Sequence, residues 1–214
     1  MSLDLFVGGA PKSAVPGWRV SVESSLLSLV MAAARCRKVV ILGHVSVGKT
    51  ALTLQFVKGE FPKEYEPTLE NIWNNTVYVG KDQYEVTVVD TASHLEFSFL
   101  PPSFFIGVDG YIVVYSVDSN ASFQIAVVLH QKLQERRGIG CTPIVLVGNK
   151  KDLPAQSRQV SQLEGQRLAD TWGSPFLEVS ANDPEESKLV FLKMIEEIDR
   201  MEKSFTKKKK CHLM

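Results

Sequence analysis

The segment Gly43-His44-Val45-Ser46-Val47-Gly48-Lys49-Thr50 constrains this 214-residue chain more than any other, because it fits GxxxxGK[S/T] where a strand gives way to a helix. Before it, Arg37-Lys38-Val39-Val40-Ile41-Leu42 is apolar and β-branched. After it, Leu52 and Phe56 stand one helical turn apart. Backbone N–H groups of such a loop point inward, and the following helix N-terminus adds partial positive charge, so the pattern predicts a phosphate-binding loop. Lys49 is expected to reach the outer phosphates and Thr50 to ligate Mg2+, with Ser46, Val47, Gly48 and Ala51 completing the cradle.

A phosphate loop does not by itself choose the base. Pro143-Ile144-Val145-Leu146-Val147-Gly148 reads as a buried parallel strand, and Asn149-Lys150-Lys151-Asp152, an NKxD motif, follows at the carboxyl end where ligands sit in open α/β sheets. A carboxylate at Asp152 accepts from the N1–H and the exocyclic amine of guanine, a donor pair that adenine lacks. A site built for that pair discriminates by roughly 10^4 or more, so GTP and GDP are the expected ligands and an ATP-using kinase is rejected. Between the two motifs, Thr68 in Tyr65-Glu66-Pro67-Thr68 and Asp90 at a strand end complete a metal site. Thr68 ligates Mg2+ directly when a γ-phosphate holds its loop closed, and Asp90 does so through water. In isolation either residue reads as an ordinary solvated threonine or strand-end cap.

The order and spacing of these motifs resembles the Ras superfamily of small GTPases, and from about Arg35 onward the Rheb subfamily. The subfamily resemblance rests on Gln55-Phe56-Val57-Lys58-Gly59-Glu60-Phe61, Pro67-Thr68-Leu69-Glu70-Asn71, Gly110-Tyr111-Ile112-Val113-Val114-Tyr115-Ser116-Val117 and Gly148-Asn149-Lys150-Lys151-Asp152-Leu153. Val45 also stands where Ras proteins generally have glycine. Steps of 18, 22, 59 and 31 residues from Thr50 through Thr68, Asp90 and Asn149 to Ser180 leave no insertion in the pocket. The resemblance implies a doubly wound α/β domain, the P-loop small-GTPase fold: a six-stranded, mostly parallel sheet with one antiparallel edge strand, flanked by five helices. Strand-like runs at 37–43, 72–79, 83–90, 110–117, 143–148 and 175–179, with helical patterns near 120–136, 160–172 and 185–203, agree with it independently. It also adds pocket positions: Phe61 against the base, Lys150 in the base motif, Ser180 and Ala181 at the guanine edge, Ser93 at the γ-phosphate, and Tyr65 and His94 as the catalytic positions.

Departures from the family pattern cluster at catalysis. Asp90-Thr91-Ala92-Ser93-His94 replaces DTAGQ. Ser93 keeps a backbone N–H for the γ-phosphate but reaches the glycine dihedrals only at a cost of about 1–3 kcal/mol. Glutamine orients the attacking water in Ras-like enzymes and His94 differs in length and hydrogen bonding, so GTP hydrolysis is expected to be slow. His94 reads either as a general base or as an exposed loop histidine. Rheb-like proteins rely little on this glutamine and give a role to the first-switch tyrosine, here Tyr65. Asn182 stands where the family usually has the lysine of SAK, a milder loss at the base.

The termini carry separate signals. Lys207-Lys208-Lys209-Lys210 runs into Cys211-His212-Leu213-Met214, which fits a prenylation box of the farnesyl type, so a prenyltransferase is an expected partner and Cys211 the lipidation site. One prenyl chain anchors only marginally; the lysines add about 1 kcal/mol each near an anionic membrane surface. Residues 1–34 read as a flexible N-terminal extension in which Leu26–Ala34 is a short amphipathic or frayed helix, too short to span a bilayer; 35–203 read as the GTPase domain and 204–214 as the polybasic tail. A net charge of zero argues against nucleic acid, and unpaired cysteines at 36, 141 and 211 point to a reduced cytosolic setting without structural metal. The resulting expectation is a membrane-anchored GTPase signalling in its GTP form, through Tyr65 to Asn71, to an effector and answering to a GTPase-activating protein. By resemblance to Rheb the effector is the TOR kinase complex, and the location is the cytosolic face of endomembranes or lysosomes, with a cytoplasmic pool. The alternative is a degenerate guanine-nucleotide-binding module that no longer switches, on account of Ser93 and His94.

Overall fold

The computed structural model describes residues 34–62, 64, 66–68, 70–91, 100–138 and 142–211, with only the backbone of Arg137 and of 205–211. Residues 34–214 cluster as one compact unit. Strands β1 (Arg35–Gly43), β2 (Glu70–Val79), β3 (Asp82–Thr91), β4 (Gly110–Ser116), β5 (Ile144–Asn149) and β6 (Phe176–Glu178) form one sheet in the order β2-β3-β1-β4-β5-β6. Only the β2–β3 pair is antiparallel, a hairpin turning at Gly80 with φ 63°; the other four pairings are parallel, as expected.

Helices α1 (Lys49–Lys58), α2 (Asn120–Arg137), α3 (Gln162–Trp172) and α4 (Pro184–Cys211) cover the two faces. Strand alternation decides which residues meet which layer. Val39 and Ile41 join Phe56, Val190, Phe191, Met194 and Ile195 in the core under α1 and α4, whereas Val40 and Leu42 join Ala126, Leu129, Leu133 and Ala169 under α2 and α3. The Phe56 and Phe191 rings stack 4.0 Å apart across α1 and α4, worth about 0.5–1.5 kcal/mol beyond their area. Because both faces of β4 are covered, all seven of its residues are buried and its sequence is a continuous apolar run rather than an alternating one.

Two expectations need correction. Four α-helices, not five, are present among the described residues. Between β3 and β4 the described chain makes only a three-residue 3-10 turn, Pro102–Phe104, which Pro101-Pro102 opens and which gives way to a left-handed Gly107 (φ 64°) before β4. The last helix, expected near 185–203, runs on to Cys211. Its 201–210 stretch holds neither glycine nor proline and is rich in good helix formers, so nothing local stops it. Among the described residues no helix is long and apolar enough to cross a membrane. The expectations for residues 1–33, including Leu26–Ala33, lie outside the described residues.

Candidate functional site

The glycine-rich loop sits between β1 and α1 at the carboxyl edge of the sheet. Ser46 (φ 58°) and Gly48 (φ 95°) adopt left-handed backbone, which bends the chain around a concavity. Gly48 has no substitute: a Cβ there would come 2.2 Å from Asn149 Nδ2 and would be strained by its φ as well. Lys49 is 5% exposed and its ammonium donates to the carbonyls of Gly43 (3.0 Å) and His44 (2.9 Å), lacing the loop across its own mouth. These contacts hold the cation where a phosphate would meet it.

Beside the lysine, three oxygens from distant segments converge. Thr50 Oγ1 lies 2.8 Å from Thr68 Oγ1 and donates to Asp90 Oδ2 at 2.8 Å. Asp90 is fully buried at the end of β3, and its other oxygen, Oδ1, has no hydrogen-bond partner. Burial pushes the Asp90 carboxyl above its ordinary range, opposed by the Thr50 hydroxyl and the Lys49 charge. An orphaned buried carboxylate oxygen next to two hydroxyls is the donor set of a hard cation, so Thr50, Thr68 and Asp90 fit Mg2+. Bound there, the ion would neutralise phosphate charge.

The cleft over this loop measures ≈ 670 Å³ and is lined by Ser46, Gly48, Lys49, Thr50, Ala51, Leu54, Pro62, Glu64, Glu66, Thr68 and Thr91. The phosphate-side residues read from the sequence thus come together, except that the Val47 side chain points into the core. Phe61 stands 47% exposed, next in sequence to the cleft-lining Pro62.

The Asn149–Asp152 motif is joined to the cleft through Asn149, which is 1% exposed. Its Nδ2 donates to the Val47 carbonyl (2.8 Å) and its Oδ1 accepts from Ala181 N–H (2.9 Å), so one amide ties the phosphate loop to the loop after β6. Lys150 follows in left-handed backbone (φ 67°) with its ammonium 3.8 Å from Asp118, and Asp152 is exposed. Ser180 and Ala181 are buried beside Asn149. Tyr65, Ser93 and His94 lie outside the described residues, as does the side chain of Cys211.

Three contributors escaped the sequence reading. Gln55 on α1 donates to the Asn182 carbonyl (3.3 Å), Asp118 faces Lys150, and Glu186 accepts from the Ser180 N–H (2.8 Å). Only Glu186 left a local signal, since Asp183-Pro184-Glu185-Glu186 reads as a helix start with a carboxylate three residues past the cap.

The Ras family profile matches residues 38–200. The chain is 50% identical over 181 residues to GTPase RhebL1 of Mus musculus, covering 84% of this chain and 98% of that protein. It is 42% identical over 185 residues to GTP-binding protein Rheb of Homo sapiens, covering 86% and 100%. It is 39% identical over 159 residues to GTP-binding protein Rheb homolog of Drosophila melanogaster, covering 74% and 87%. A phosphate loop laced by Lys49, an oxygen triad shaped for a hard cation, an asparagine bridging loop and base motif, and this match over most of its length together mean that the chain belongs to the Ras family of small GTPases, which are GTP hydrolases.

Proposed function

We propose that this chain is a lipid-anchored guanine-nucleotide switch that hydrolyses GTP slowly and signals in its GTP-bound form. The observation that carries the reading is the convergence of Thr50, Thr68 and Asp90. Thr68 belongs to the first-switch loop and touches the phosphate-loop threonine at 2.8 Å, so a ligand that binds there bears directly on that loop. GTP presents a γ-phosphate to Thr68 and GDP does not, and that difference gives the loop its two states. Asp152, with Asn149 holding its loop, reads guanine; Lys49 and the loop amides hold the phosphates; Thr50, Thr68 and, through water, Asp90 hold Mg2+.

Tyr65 to Asn71 is then the effector surface. Resemblance to Rheb supports the TOR kinase complex as effector and a GTPase-activating protein as regulator. Prenylation of Cys211 by a prenyltransferase, with the four lysines beside it, would hold the molecule on the cytosolic face of endomembranes or lysosomes, in exchange with a cytoplasmic pool. Ser93 and His94 in place of glycine and glutamine support slow hydrolysis, with Tyr65 the remaining catalytic candidate.

Single-turnover hydrolysis of bound GTP tests the reading, with Ser93→Gly/His94→Gln as comparison. Slow phosphate release that the double reversion accelerates by about tenfold or more is the expected outcome. GTP retained unhydrolysed by both proteins would instead support a binding module that has stopped switching.

A further inference from the structure

We propose that Glu186, in the first turn of α4, is a positioning residue for the guanine pocket, its carboxylate clamping together the two loops that read the base. The inference deepens the guanine-nucleotide reading above and rests on it.

The two loops come from different places in the chain. One follows β5 and carries Asn149 to Asp152; the other follows β6 and carries Ser180 to Asn182. Glu186 holds both with one side chain: Oε2 accepts the Ser180 N–H at 2.8 Å and Oε1 accepts the Lys151 ammonium. Lys151 lies immediately before Asp152, so an anchor on its side chain limits how far the guanine-reading carboxylate can swing. Ser180 is 6% exposed, so without the carboxylate its N–H would be left in a buried setting with no acceptor. The clamp reinforces two ties already present, Ala181 N–H to Asn149 Oδ1 (2.9 Å) and Lys151 N–H to the Val179 carbonyl (3.2 Å).

Local sequence explains why this glutamate faces the loop. Asp183 caps α4, its Oδ1 accepting from the N–H groups of Glu185 (2.9 Å) and Glu186 (3.2 Å), and Pro184 fits the first helical position, where no N–H is needed. In a capping box the carboxylate at the third position reaches back to the cap residue's own N–H. Here that N–H already donates to the Ser180 carbonyl at 3.0 Å, and the carboxylate goes one loop further, to Ser180 N–H. The arrangement bears on Asn182, which stands where a lysine stem would brace the base; its own ties are N–H to Ser180 Oγ (3.2 Å) and carbonyl to Gln55 (3.3 Å). With no long stem at that position, Glu186 adds the side-chain tie between the two loops beside the Asn149 and Val179 contacts. A pocket ordered before the ligand arrives loses less entropy on binding, and this shows mainly as slower dissociation.

The test is the dissociation rate of a fluorescent GDP analogue from the full chain, chased with excess GDP. Glu186→Ala should speed dissociation about tenfold, and Glu186→Gln, which keeps an acceptor for Ser180 and loses the charge facing Lys151, about threefold. Lys151→Met should speed it about threefold alone and add nothing in the Glu186→Ala background, a coupling that general loss of stability does not produce. Lys151 is exposed, so Lys151→Met against Lys151→Met/Glu186→Gln carries the same coupling test should Glu186→Ala fail to fold. Dissociation within twofold of the wild type in Glu186→Ala, or independent multiplication of the two effects, overturns the clamp while leaving the nucleotide reading intact. A wild-type chain that holds no guanine nucleotide overturns both.

Discussion

His130 sits where a charge cannot be solvated. Its ring lies 3.9 Å from that of Trp172 and within 1° of parallel, the residue is 6% exposed, and its Nε2 contacts Gln134 at 3.1 Å. Burial lowers its pKa to about 4 from an ordinary 6.5. The unfolded chain therefore takes up this proton near pH 6.5 and the folded one only near pH 4, so the stability tied to neutral His130 is complete above pH 6.5 and declines as pH falls toward 4. Between pH 7.5 and 5 the loss should be about 2 kcal/mol, read as a falling urea midpoint in nucleotide-saturated protein. In His130→Phe, which keeps a ring against Trp172, that part of the decline should vanish; an identical slope in both proteins would mean the histidine is charged in the fold. Gly48, Lys49, Asn149 and Asp152 belong to patterns whose spacing is their meaning. Gln55 and Asp118 carry no such spacing and Glu186 only that of a helix start, and they matter because folding brings them to an atom that needs a partner.

At the scale of elements, the far end of the molecule is held by α4 latching onto β1 and β3. Asp199 accepts from Arg37 Nη2 (2.8 Å), Arg35 Nη1 (3.1 Å) and the Tyr84 hydroxyl (2.5 Å), and Arg37 also reaches Glu202 (2.7 Å). Burial pushes the Asp199 carboxyl up, yet the Tyr84 and Arg37 hydrogen bonds and the two guanidinium charges hold it below the usual carboxylate range. Arg37 is 9% exposed, so deleting its inner partner leaves the guanidinium with only the half-exposed Glu202, held at 2.9 and 2.7 Å. Asp199→Ala should cost about 2–3 kcal/mol in urea unfolding, and Asp199→Asn less. A change below 0.5 kcal/mol would mean the latch is solvated. None of this was legible beforehand, because the acid and its partners lie 115 to 164 residues apart in the chain. The strands were legible, since alternation and β-branched runs are local. The end of α4 was not, because a lysine-rich stretch reads equally as a solvated tail and as a helix with no stop signal.

For the whole molecule, the expected consequence of the C-terminal box is a protein divided between membrane and soluble fractions. Cys211→Ser should move it into the soluble fraction of a cell lysate, because a polybasic run alone binds anionic membranes only weakly at physiological salt. Undiminished sedimentation with membranes would place the anchor elsewhere. The residue order alone carried the phosphate-loop pattern, the NKxD motif and the strand-end aspartate, each readable because residue type and spacing are what such a pattern consists of. It also determined the α/β class, since periodicities of two and of 3.6 are local properties of a chain. Which side chains hold those motifs in place follows from packing instead. The Asn149 bridge, the Thr50–Asp90 contact and the Asp199 latch pair groups distant in sequence, and the Glu186 clamp goes to the N–H that the packed chain has left without another acceptor.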